Sequence, residues 1–141
     1  MKQLLMPPRL SNRMALGLLL LRVLVGLAFM FHGWPKITNP FGWMGPQSSF
    51  PPPLLALAAV SEFGGGAAWI LGLLTPLASL GIASTMTVAI WQHALVKQDP
   101  FVAVGRSSYE SAAVYLAIAI LFLLTGPGRF SLDRMIFGEK S

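Results

Sequence analysis

The sequence predicts an all-α integral-membrane bundle of four helices, and three observations carry that reading. Of the 141 residues, 55% are hydrophobic and only 11% are charged, whereas a soluble domain carries roughly 25% charged residues. The apolar residues gather in four runs, each close to the about 20 needed to cross a hydrocarbon core. The scattered bases border those runs and form no patch of their own.

The net charge of +5 therefore reads as a lipid-headgroup and topology signal, with no nucleic-acid partner. The absence of cysteine excludes disulfide exchange, thiolate nucleophiles, Cys-ligated zinc and iron–sulfur clusters in this chain. No linker or internal repeat divides residues 1–141, so the chain reads as one domain.

Residues 1–13 form a short polar lead in which Pro7 and Pro8 oppose an early helix start. The first span, 14–34, is an almost wholly apolar run, with one arginine, Arg22, and with His32 near its end. With its basic start it resembles a signal peptide, but the run is too long and lacks an A-x-A site, so it reads as an uncleaved span. Residues 35–53 are rich in proline and aromatics, and Phe41, Trp43 and Phe50 suit the headgroup level.

The second span is 54–74 and the third 76–96. Thr75-Pro76 reads as a minimal turn between them, making a tight antiparallel hairpin. Residues 97–108 are a polar loop, the fourth span is 109–126, and a juxtamembrane tail follows. Lys2, Arg9, Arg13, Arg129, Arg134 and Lys140 flank the two termini, against Lys36, Lys97 and Arg106 on the other side. Both termini are therefore expected in the cytoplasm.

That topology gathers ionisable groups. An arginine at membrane depth costs about 2.5–3.5 kcal/mol on insertion scales, so Arg22 requires a partner. Glu62, about 12 Å below the outer start of the second span, is the expected one. His32, Lys36, His93 and Glu110 fall at the outer ends of their helices. Arg22, Gly26 and Gly33 share one face, Glu62 lies with Ala58, Gly65, Gly66 and Trp69, and Glu110 lies with Ala113 and Ala117. Small residues mark close helix contacts, so the charges are expected to point inward.

Bland readings stand beside each feature. Arg22 with Glu62 is either an ion pair fixing the packing or the wall of a cavity. His32 and His93 are either polar residues at an interface or ligand contacts, and Glu110 also suits a helix N-terminus. Phe31, Trp34, Trp69, Trp91 and Tyr109 are either belt and packing residues or the apolar walls of a pocket. No metal site is assigned. The alternative set His32, Glu62, His93 and Glu110 suits zinc or non-haem iron by ligand type but lacks helical ligand spacing. Gly64-Gly65-Gly66, inside an apolar helix, marks a close-packing or unwinding point.

Four segments then resemble the DoxX family: Phe31-His32-Gly33 with Lys36, Ser61 to Gly66, Tyr109-Glu110, and the distinctive Leu124 to Asp133. The resemblance covers about Leu20 to Asp133. It implies a small four-helix protein of the bacterial inner membrane, with Glu62 at the family's second-helix Glu and His32, Gly33 and Lys36 at its His-Gly-x-x-Lys motif. Some relatives are subunits of a thiosulfate:quinone oxidoreductase, and others associate with redox complexes. Taken with the polar cluster, the expected function is a redox-associated subunit that binds a quinone or similar apolar ligand between Phe31, Trp34, Trp69 and Trp91, with His32 or His93 on a carbonyl and Glu62 as proton acceptor or counter-ion beside Arg22. The partners implied are the bilayer, a soluble or membrane oxidoreductase subunit and a second copy of the chain. The alternative is a non-enzymatic scaffold or assembly factor for another membrane protein; whether the chain itself catalyses anything stays open.

Overall fold

The computed structural model describes residues 6–138, so Lys2 and Lys140 of the charge count lie outside the described residues. Among these there is no strand. Helix α1 is Asn12–Ile37, α2 Pro52–Leu71, α3 Thr75–Trp91 with a π-helical continuation Gln92–Val96, α4 Glu110–Thr125 and α5 Leu132–Phe137. Successive long helices pack against each other, α1 on α2, α2 on α3 and α3 on α4. Among the described residues, α1 and α2 alone meet the length and apolarity of a membrane span by those two measures.

The boundaries differ from expectation where prolines and glycines act. Helix α1 runs past the predicted end at Trp34 to Ile37, with Pro35 inside it. Proline removes one backbone donor, and here Lys36 is tied to the neighbouring helix, which holds the last turn in place. Helix α2 starts at Pro52, before the predicted residue 54, because proline suits the first helical turn. It stops at Leu71, not at 74, because Gly72 adopts φ 63° and closes the helix end. The turn is thus 72–74, and Thr75-Pro76 opens α3. The tail carries a short helix, α5, that the sequence pattern did not announce.

Helices α1 and α2 touch through their backbones. A Cβ on Gly26 or on Gly66 would stand 2.7 Å from the other residue's carbonyl oxygen. The glycine cluster is therefore a packing device at Gly66, whereas a Cβ at Gly64 meets nothing nearer than 3.9 Å. Gly66→Leu should lower stability by at least about 1–3 kcal/mol through overpacking, while Gly64→Ala stays close to wild type. Thermal unfolding in detergent reads both, and equal behaviour of the two variants would contradict this packing.

The core holds Phe29, Trp69 and Phe122, with ring centroids 5.5 Å apart for Phe29–Trp69 and 4.8 Å for Trp69–Phe122. Trp69 also donates from Nε1 to the Ser79 hydroxyl at 2.9 Å. Outward faces carry Leu20, Leu24, Leu57, Leu77, Leu80 and Leu124, whereas Arg22, Glu62 and Asp133 are buried. Soluble proteins seldom bury such charges or expose so much leucine. This polarity suits an apolar solvent.

Arg22 does not meet Glu62, contrary to expectation. Its guanidinium donates to the carbonyls of Trp69 (2.7 Å), Ile70 (3.0 Å), Pro127 (2.5 Å) and Phe130 (2.9 Å). The end of α2 leaves carbonyls without helical partners, and the side chain extends towards them. Glu62 lies two turns further up α2, about 11 Å away along the axis. Asp133 completes this end of the bundle: its carboxylate accepts from the Leu74 and Thr75 amides at 2.6 and 2.9 Å. It thereby caps α3 from a distant part of the chain. The Leu124–Asp133 segment is thus a clasp on the Arg22 end.

Candidate functional site

At the opposite end, Lys36 on α1 reaches Glu62 on α2. Its Nζ is 2.6 Å from both carboxylate oxygens and 4.5 Å from the centre of the Trp43 ring. Glu62 is only 2% exposed. The close approach that permits this pair comes from Gly33, where a Cβ would stand 2.6 Å from the Phe63 nitrogen. Trp43 is held in turn by its Nε1 donating to the Leu55 carbonyl at 3.0 Å. The 35–53 loop therefore folds back on the helix ends, and Phe50 reaches Trp91 with centroids 6.4 Å apart.

His93 lies in the π-helical continuation of α3, a conformation found frequently at functional sites. Its Nδ1 is 2.7 Å from Asp99 Oδ2, and the Ser107 hydroxyl donates to Asp99 Oδ1 at 2.7 Å. These hydrogen bonds, Ser107's first and then that of His93, hold the Asp99 carboxyl below its usual range. The Asp99 amide also donates to the His93 carbonyl at 2.8 Å, so loop and helix are tied twice.

Two cavities meet at these residues. A groove of about 890 Å³ follows α2 and α3 from Leu74 and Leu77 past Ala58, Gly65, Ala78 and Gly81 to Trp43 and Phe50. A smaller cavity of about 220 Å³ lies among Phe29, His32, Met86, Ser111 and Tyr115. Lys36, Glu62, Ala89 and His93 line both. The polar residues of this end therefore stand between an apolar groove and a smaller cavity of mixed lining.

Of the expected polar cluster, the structure brings together Lys36, Glu62 and His93, with His32 on the far side of the small cavity, its ring 6.2 Å from that of Tyr115. Arg22 is at the other end, and Glu110 is exposed at the N-terminus of α4 and lines neither cavity. The set His32, Glu62, His93 and Glu110 is not assembled. Among the described residues no three His, Asp or Glu side chains are grouped to hold a metal.

The expected aromatic walls also differ. Phe31 and Trp34 are exposed, Trp69 is core, Trp91 backs Phe50 and Tyr109 packs at a tilt against Phe101. None lines either cavity. Trp43, Phe50 and α2–α3 aliphatic residues line the groove in their place. The sequence pattern marks Asp99 and Ser107 only as polar loop; a carboxylate six residues after a histidine is the available signal.

A small helical bundle with leucine outside, charges inside and an apolar groove ending on an ion pair defines an integral membrane protein. This chain belongs to the DoxX family, whose model matches residues 17–95. It is 32% identical over 126 residues to the inner membrane protein YqjF of Escherichia coli (strain K12), covering 85% of this chain and 92% of that protein. A Haemophilus influenzae relative, described as an uncharacterized protein, is 30% identical over 119 residues, covering 83% of this chain and 88% of the relative. No solved structure matches. The family resemblance read from the four segments is correct, and the protein is a small membrane protein of that family.

Proposed function

We propose that this protein spans the bacterial inner membrane four times, with both termini cytoplasmic, and binds a quinone-type amphipathic ligand in the α2–α3 groove as a membrane subunit of a redox complex. The groove carries this reading. Its volume of about 890 Å³ lies within the range of small-molecule sites, roughly 300–1,000 Å³. Its walls are mostly apolar along the helices, with the hydroxyls of Ser61, Ser84 and Thr85 among them, and its charged groups gather with His93 at the Lys36–Glu62 end, which matches an isoprenoid-like tail with one polar ring. Continued through Val96, α3 is about 33 Å long, enough for a span; α4, at about 24 Å, crosses by local thinning of the bilayer.

The test uses the purified protein in lipid nanodiscs with decyl-substituted benzoquinone and its quinol, followed by tryptophan fluorescence. Binding should be saturable and fall at least about tenfold in Ala58→Phe, which fills the groove from a half-buried position. Absence of saturable binding, or binding indifferent to that substitution, would reject the reading. The scaffold alternative has one observation in its favour, the small-residue floor of an open groove, which also suits a partner's helix. In that case Ala58→Phe should abolish co-purification of a membrane partner and leave quinone binding absent throughout.

A further inference from the structure

Resting on that groove reading, we infer that His93 selects a hydroxyl-bearing ring, a quinol over its ether, with Asp99 and Ser107 as the residues that position it. Asp99 is ionised and so only accepts hydrogen bonds. Its 2.7 Å contact therefore requires the proton on His93 Nδ1. In its neutral form the imidazole then presents Nε2 as an acceptor, just as a carboxylate fixes the tautomer of histidine in other sites.

The neighbouring groups make this acceptor decisive. Both oxygens of Glu62 lie 2.6 Å from Lys36, which also stands over the Trp43 ring. Nδ1 is engaged with the loop, so the opposite edge of the ring remains for the two cavities that His93 lines. A quinol offers O–H donors to Nε2, whereas an ether or a quinone offers only acceptors that repel it. The interaction is a hydrogen bond, and no covalent bond or electron moves.

The experiment compares decyl-benzoquinol, kept reduced under argon, with its dimethyl ether, on the full-length protein in nanodiscs. The quinol should bind about tenfold tighter, the worth of one good hydrogen bond. Asp99→Asn should reduce that preference below about threefold, the quinol losing affinity and the ether gaining it, because an amide can turn its N–H towards Nδ1 and reverse the tautomer, which makes Nε2 a donor. Ring ¹⁵N shifts of labelled histidine should report the Nδ1–H form in the wild type and its loss in Asp99→Asn. Ser107→Ala, at an exposed position, should give an intermediate preference.

Equal binding of quinol and ether by the wild type would overturn this inference and leave the groove reading standing. Binding of neither probe would remove both. An unchanged preference or unchanged ¹⁵N shift in Asp99→Asn would overturn the positioning role, and if that variant does not fold, Ser107→Ala and the wild-type shift decide the matter.

Discussion

Arg22→Met should leave little folded protein. The substitution removes the donors that serve four carbonyls, on α2 and on the 127–130 segment. A buried acceptor left without a partner costs about 1–3 kcal/mol, and two such losses equal a large part of a typical domain's stability of 5–15 kcal/mol. The clasp would loosen as well, because Gly72 and Ser131 pack against the guanidinium or beside it. Arg22→Lys should recover only part of the loss, since an ammonium lacks the planar five-donor fork. Monodispersity after detergent extraction and the midpoint of thermal unfolding read both variants. A wild-type midpoint for Arg22→Met would show that these carbonyls are satisfied in another way.

Lys36→Met should be nearly as damaging, for a different reason. It strands the Glu62 carboxylate at 2% exposure without its ammonium, and breaking one side of a buried pair costs about 3–5 kcal/mol. The double variant Lys36→Met with Glu62→Met should regain most of that stability, because replacing a whole buried pair with apolar residues is often neutral or favourable. The quinol should nevertheless bind the double variant at least about tenfold more weakly, as the charged pair beside His93 is gone from that end of the groove. If the double variant is as unstable as the single one, the stranded charge is not the cause. If it binds like the wild type, the pair takes no part in ligand recognition.

Much of the fold was legible in the chain, because apolar run length and glycine spacing are local properties. The Arg22–Gly26–Gly33 face and the Gly65-Gly66 contact could be read from helical periodicity alone. The partner of Arg22 could not. Helix depth placed Glu62 and the end of α2 at comparable reach, and only the direction of the side chain separates a carboxylate from four carbonyls. The same holds for the aromatic walls: composition locates Trp34, Trp69 and Trp91 near the right helices, whereas rotation about each axis decides which face a groove. Lys36 was expected at the right end of the first helix, yet its pairing with Glu62 depends on α1 continuing through Pro35, which local rules oppose.

The opening apolar run with its single arginine determined by itself that this is a membrane helix in need of an internal partner. The composition and four segment motifs determined the class and the family. The tertiary structure decided what each end of that run does. At one end Arg22 clasps backbone carbonyls from two distant segments, because a long donor-only side chain follows unsatisfied acceptors. At the other, Lys36, Glu62 and His93 meet between two cavities because glycines let the helices approach and a π-helical turn presents the histidine. Both outcomes depend on contacts between residues 26 to 108 positions apart in the chain, a distance that no local pattern encodes.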